Sequence, residues 1–216
     1  MEQQPKQIDA VETGFEHFRK QEHNMNEHYD MLRHYAGQCS NITEFGASES
    51  MTSTWPLLAG LKDNPATRTE LTSFDRTPIP TSFSGMQALA SNEGTKLRFI
   101  QGNTLNVKIQ PTNMLLIDTF HAYPQLKKEL ERHHKKVDKF IAILNTDVDG
   151  EHSEVVRLYY CYDFDTCMSE LQCTQADLCK GLRPAIDEFI DNHPEWECCE
   201  TCTNNNGLMI LKRKAT

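Results

Sequence analysis

The chain has 216 residues, enough for one sizeable hydrophobic core, and no Pro/Gly/Ser-rich linker divides it into halves. A formal net charge of -9 argues against a nucleic-acid partner, because affinity for a phosphate backbone comes from clustered Lys and Arg. No window approaches the roughly 18–20 apolar residues that span a bilayer, and the opening MEQQPKQIDAVE lacks the basic and apolar segments of a secretion signal, so a soluble, cytoplasmic protein with no membrane partner is expected.

Along residues 9–36, Val11, Phe15, Phe18, Met25, Tyr29 and Leu32 recur at mostly three- and four-residue steps, which predicts an amphipathic helix. His17, His23, His28 and His34 lie among them without a consistent i, i+4 spacing, so packing or solvated roles fit better than a metal. Residues 1–38 read as a helical extension, suited to covering a site or pairing two copies of the chain, ahead of a main domain at 39–216.

From residue 41 the texture changes. Short apolar runs, NITEFG, ELTSFD, KLRFIQG, NMLLID and KFIAILN, alternate with longer segments such as STWPLLAGL, SFSGMQALASN and AYPQLKKELERHHKKV. That alternation predicts parallel strands joined by crossover helices, with both sheet faces covered. In the third crossover, Glu129 and Glu131 interrupt the one dense basic run, LKKELERHHKK, as on a solvated helix face. Further on, VVRLYYCYDF clusters strand formers, LRPAIDEFIDNHPEW has helical spacing, and WECCETCTNNNGLMILKRK reads as two strands around the turn signal Asn206-Gly207. The sum is an α/β fold: a Rossmann-like, doubly wound, mostly parallel seven-stranded sheet closed by a C-terminal antiparallel hairpin.

Of the eight cysteines, only Cys199 and Cys202 form a CxxC pair, and no second pair answers it. Free thiols in a reducing compartment fit better than a disulfide framework or a zinc site.

Ligands of such sheets bind outside the carboxyl ends of the strands. Those ends carry Gly46, Asp75, Gly102 with Asn103, Asp118, and Asn145 with Asp147. A carboxylate after the second strand suits the two hydroxyls of a ribose, although Asp75 in SFDRTP serves equally as a turn former. Asp118 and His121, three residues apart at the mouth of an apolar strand, read either as a reactive pair or as a helix cap and a packing residue.

The segments ITEFGASESMTSTWPLLAGL, LLIDTFHAYPQLKKEL, GLRPAIDEFIDNHPEW and TNNNGLMILKR, in this order over residues 41–213, resemble the class I S-adenosylmethionine (SAM)-dependent methyltransferases of the cephalosporin-hydroxylase-like and macrocin O-methyltransferase-like groups. The resemblance implies an O-methyltransferase acting on a sugar or glycan hydroxyl, with SAM as cofactor and Mg²⁺ or Mn²⁺ as a helper. It assigns Glu44, Gly46, Ser48, Ser50 and Thr54 to the first cofactor loop, Asp75 and Arg76 to the ribose side, Gly102 and Asn103 to the adenine side, and Asp118 to the region facing the methyl donor. Asp118-x-x-His121 matches a pattern in which the acid ligates a cation and the histidine takes the acceptor's proton. A sugar hydroxyl has a pKa far above 7, so attack on a sulfonium methyl gains from a base and from positive charge beside the forming alkoxide. Where the pattern's second ligand pair is missing, Asn145 and Asp147 are the candidates to stand in for it beside Asp118, and Tyr123 and Asn204 are candidates for the acceptor pocket that suit core and turn roles equally.

Two departures from the pattern stand out. The first loop reads GASESM, without the usual second glycine, and Leu144-Asn145 replaces two polar ligands. They leave a second reading, a decayed methyltransferase fold that binds without catalysis. An iron oxygenase would need a second histidine at a strand end, and none is present.

Overall fold

The structure, a computed structural model, describes residues 9–215. The predicted N-terminal helix is two helices. α1 (Ala10–Lys20) starts at Asp9, whose side chain accepts the Glu12 N–H at 3.0 Å, and ends where Gln21 turns extended. α2 (Tyr29–Ala36) follows a short 3-10 turn at Asn26–His28. The break lets both apolar stripes, Val11 with Phe15 and Tyr29 with Leu32, reach one partner, α3 (Thr54–Asp63), which one continuous helix would run past. These residues share a core with the sheet, so the segment expected as an extension is part of the helical layer. His28 is buried and its pKa lowered by burial, and none of the four N-terminal histidines joins a metal-ligating group among the described residues.

The strands are β1 (Asn41–Phe45), β2 (Thr69–Asp75), β3 (Thr95–Gln101), β4 (Thr112–Ile117), β5 (Val137–Leu144), β6 (Trp196–Cys202) and β7 (Leu208–Arg213). They form one seven-stranded sheet in the order β3-β2-β1-β4-β5-β7-β6, parallel except for β7, which runs antiparallel to both neighbours. Strand parity divides the two cores. Ile42, Met114, Leu116, Phe140, Ala142 and Leu144 face α1, α2, α3 and α4 (Phe83–Asn92), while Phe45, Leu115, Ile117, Ile141 and Ile143 face α5 (Tyr123–His133) and α9 (Leu182–Asn192). Successive side chains point to opposite faces, so a two-sided sheet requires the near-continuous apolar runs seen in the sequence. Among the described residues no helix is long and apolar enough to cross a membrane.

Residues 155–164, rich in strand formers, make no strand. They form the end of α6 (Glu154–Arg157), a 3-10 turn at Tyr159–Cys161, and the approach to α7 (Phe164–Leu171), with α8 (Gln175–Leu178) beyond. The side of β5 next in line is taken by β7 instead. The segment instead builds a third small core, in which Val155, Leu171 and Leu178 close over Ala122 and Phe120 beside the end of β4. The hairpin forms as predicted, with positive φ at Asn205 (47°) and Gly207 (93°), not at Asn206. All eight cysteines are free.

Candidate active site

The chain reverses direction along the sheet between β1 and β4, and the crevice beyond that point is where open α/β sheets bind ligands. Backbone bonds tie the strand ends into one row: Gly46 N–H to Phe74 O at 2.9 Å, Asp118 N–H to Phe45 O at 2.9 Å, and Gly102 N–H to Asp75 O at 2.7 Å. Gly46 adopts φ 85°, and a Cβ built on it would lie 1.8 Å from the Asp118 carbonyl oxygen. Only glycine fits this crossing. Ser48 and Met51 also hold left-handed φ, 51° and 49°, so the loop makes its turns without a second glycine, at a steric cost of about 1 kcal/mol for each.

Several predicted cofactor residues support the loop instead of facing outward. Glu44 is 0 % exposed and accepts hydroxyl bonds from Ser53 at 2.7 Å, Thr54 at 3.0 Å and Ser73 at 2.5 Å. Burial raises its pKa, against the pull of those three hydroxyls. Thr54 is likewise buried, so Glu44 and Thr54 pin the return of the loop onto β1. The Tyr29 hydroxyl donates to Thr52 O at 2.6 Å and braces the same loop from α2. Arg76 pairs with Glu170 of α7 at 3.0 Å. Asn103 caps its own turn, accepting the Leu105 N–H at 2.9 Å.

What remains open to a ligand is a coherent set. Ser48 and Ser50 are exposed, with hydroxyls 3.0 Å apart. One Asp75 oxygen accepts the Ser48 N–H at 3.0 Å, and the other accepts the Thr77 N–H and hydroxyl at 2.8 Å each, which leaves lone pairs for a diol. Asp75 stands two strands from Asp118, with the Gly46 crossing between them. A concavity of about 940 Å³ opens instead at the amino ends of β1–β3, around Asn41, Glu70 and Thr95, at the opposite end of the strands. We place the site by its converging reactive groups.

Those groups surround His121. Its Nε2 lies 3.2 Å from Asp118 Oδ1, and its Nδ1 lies 3.2 Å from Asp149 Oδ2, 3.3 Å from Glu154 Oε2 and 3.2 Å from Asn145 Nδ2. Glu154 also accepts the His121 backbone N–H at 3.1 Å and donates its own N–H to His121 O at 3.0 Å. Burial opposes a charge on the ring, but the hydrogen bonds to Asp118, Asp149 and Glu154 outweigh it and raise the pKa well above 6.5. The surrounding carboxylates thus favour the protonated ring. Asp149, 0 % exposed, receives Arg157 on both oxygens at 2.8 Å. Burial raises its pKa, and His121 and Arg157 overcome that to hold it at about 2.

Of the expected metal set, Asp118 and Asn145 both lie against the His121 ring, one at each nitrogen. Asp147 is exposed, its N–H bound to Asn206 O at 3.0 Å at the hairpin, and Leu144 is buried in the core. The carboxylates that do converge with His121 are Asp149 and Glu154, whose ligand atoms and the ring's lie within 4.8 Å of one another. His121, Asp149 and Glu154 are a donor set that could hold a cation, with the Arg157 guanidinium bound to both Asp149 oxygens beside it. No step below passes through an ion.

The two acceptor residues also have other partners. The Tyr123 hydroxyl donates to Glu188 of α9 at 2.6 Å, and Asn204 Nδ2 donates to Glu27 at 2.5 Å, latching the hairpin tip to the α1–α2 connection. Sequence reasoning missed Glu154 and Arg157 altogether, and Asp149 in NTDVDGE suits an acidic turn around Gly150 better than a ligand when read from the sequence alone. They lie 28–36 positions from His121, beyond any local periodicity.

A second buried acid lies behind the site. Glu129 accepts from Thr104, Gln125 and Thr119 and thereby joins the ends of β3 and β4 to α5. Burial, partly offset by those bonds, raises its pKa from 4.5 to about 7. A raised acid binds its proton more tightly when folded, so its favourable balance is complete below about pH 4.5 and is lost as pH rises through about 7. The loss is of order 3 kcal/mol. Glu129→Gln is expected to remove this part of the pH dependence, so urea unfolding at pH 5 and pH 8 should show the variant gaining on the parent at the higher pH. Parallel curves would refute it.

Comparison with known proteins gives the fold. No family model and no curated protein matches the sequence. Among solved structures, the chain is similar to a Staphylococcus aureus protein provisionally described as a caffeoyl-CoA O-methyltransferase (17 % identity, TM-score 0.56, 96 % of this chain and 94 % of that one). It is similar also to the SAH-bound Podospora anserina methyltransferase PaMTH1 (14 %, 0.54, 96 % and 89 %) and to a Bacillus cereus O-methyltransferase in complex with SAH (14 %, 0.53, 97 % and 93 %). The seven-stranded sheet with its antiparallel hairpin is the fold these proteins share with the chain.

Proposed function

We propose that the chain is a SAM-dependent O-methyltransferase, with a sugar or glycan hydroxyl as acceptor. The observation that carries this reading is the convergence of Asp118 and His121 on the Gly46 crossing, beside an open Asp75, in a fold shared with O-methyltransferases. Asp75 and the exposed Ser48–Ser50 loop bind and orient the cofactor. The acceptor oxygen attacks the sulfonium methyl in line, the methyl–sulfur bond breaks to release S-adenosylhomocysteine, and the hydroxyl proton passes to Nε2 of the neutral ring, on its partly exposed Asp118 side, as the acceptor takes up the contact that Asp118 makes there. Asp118 fixes the ring through Nε2, and Asp149 with Glu154 hold Nδ1, so the orientation is set before the acceptor arrives.

Because three carboxylates keep the ring charged, the base form is scarce at pH 7, and the rate is expected to rise with pH into the alkaline range. Glu154→Gln removes one of those charges, 3.3 Å from Nδ1, and keeps the acceptor for the His121 N–H. It should move the limb of the pH–rate profile down by about one unit. An unmoved limb would take the proton away from His121.

The decisive experiment is production of SAH from SAM with a panel of glycosides, with and without a chelator. Turnover on a sugar hydroxyl that persists in the chelator is the expected result. A strict need for Mg²⁺ or Mn²⁺ would restore the cation, and no SAM binding at millimolar concentration by calorimetry would leave a binding protein on a methyltransferase fold.

A further inference from the structure

A second cluster of metal-ligating side chains lies at the other end of the sheet. Glu131 is in the last turn of α5, His134 follows that helix at the amino end of β5, and His193 follows α9 just before β6. One ligand atom from each lies within 4.8 Å of the others. β6 runs parallel to β5, so both amino ends, and this cluster, sit opposite the His121 site.

The independent observation is His134. Its side chain is 2 % exposed, and neither ring nitrogen has a hydrogen-bond partner. The nearest acceptor is Glu195 Oε1, 3.8 Å from Nδ1, too far for a bond. Buried polar atoms in folded proteins are nearly always satisfied, and an orphaned imidazole calls for a missing group. The rings of His134 and His193 are 4.2 Å apart, tilted by 49°, and both pack on Phe189, which gives the cluster a dry wall. His193 Nε2 is already 3.1 Å from Glu131 Oε1, and its Nδ1 is 3.7 Å from Glu195. Arg213 approaches Glu195 at 4.0 Å and donates to His134 O at 2.7 Å, which makes Glu195 the weakest of the four as a ligand.

We propose that Glu131, His134 and His193 bind a divalent transition-metal ion of the zinc class, with water or Glu195 in the fourth position. Two imidazoles and one carboxylate suit zinc, nickel or cobalt and disfavour magnesium, which takes oxygen ligands. Ligand atoms around zinc lie about 3.3 Å apart; His193 Nε2 and Glu131 Oε1 are already at 3.1 Å, and His134 needs only to draw in on them. The ion would tie the end of α5 to the α9–β6 connection and give His134 the partner it lacks.

The test uses the full chain in reduced form. Calorimetry with zinc is expected to show one tight equivalent, together with a rise in thermal midpoint. Cobalt should give the d–d bands of nitrogen and oxygen ligation without a thiolate charge-transfer band, which separates this site from the eight cysteines. His193→Gln and Glu131→Gln, both at less buried positions than His134, should each weaken zinc binding at least tenfold and abolish the thermal shift, while His121→Asn leaves both intact. Affinity unchanged in His193→Gln, loss on His121→Asn, a thiolate band, or no thermal shift with zinc in the parent would each overturn the assignment.

Discussion

His121→Ala is expected to lower kcat/KM for methyl transfer by roughly 10²–10⁴-fold, the usual contribution of a positioned general base. The substitution removes the proton acceptor and leaves Asp118, Asp149 and Glu154 to face one another with only Arg157 among them. Part of any loss could therefore come from stability. His121→Gln separates the two effects: its amide keeps a donor for the carboxylates but takes no proton, so it should fold and bind SAM with an affinity near the parent's and still be defective in turnover. Single-turnover rates with saturating cofactor measure this, and parental rates in both variants would remove His121 from the chemistry. The ring's charge has its own stability signature. With a folded pKa raised above 6.5, its contribution is complete below about 6.5 and lost as pH climbs through the raised value, whereas Asp149, held at about 2, contributes above 3.8 and loses that only as pH falls through about 2.

Gly46→Ala is expected to destabilise the fold by about 3 kcal/mol or more. A left-handed φ of 85° costs an L-residue about 1–2 kcal/mol, and a Cβ 1.8 Å from the Asp118 carbonyl forces backbone apart where β1 and β4 meet. At roughly 2–4 °C per kcal/mol for a chain of this size, the thermal midpoint should fall by about 10 °C. SAM binding should fail with it, since the same crossing sets the distance from the first loop to Asp118. Gly85→Ala is the control: Gly85 lies in α4 with nothing within 4 Å of a built Cβ, and the change should be neutral or stabilising by about 0.5–1 kcal/mol. Equal melting of the two variants would contradict the reading of Gly46.

The strand runs were legible because a sheet buried on both faces needs apolar residues at successive positions, and NMLLI and KFIAIL have nothing else to be. The hairpin was legible in TNNNG. The break between α1 and α2 was not, since Phe18 and Met25 keep a helical interval across it and only the width of α3 decides that the chain must fold back. VVRLYYCYDF misled because strand propensity is local while a vacant sheet edge is a property of the whole fold.

At the site, Gly46, Asp75, Asp118 and His121 could be named in advance, because each terminates a strand and the carboxyl ends of parallel strands must converge. Glu44 and Thr54 could be named but not given their work, which depends on which way a side chain faces. What only the tertiary structure decided is the state of His121. Asp149, Glu154 and Arg157 come to it from a segment whose course is set by the third small core, and the carboxylates among them, not any spacing in the chain, raise the ring's pKa. Electrostatics falls off with distance in space, and the sequence records only distance along the chain.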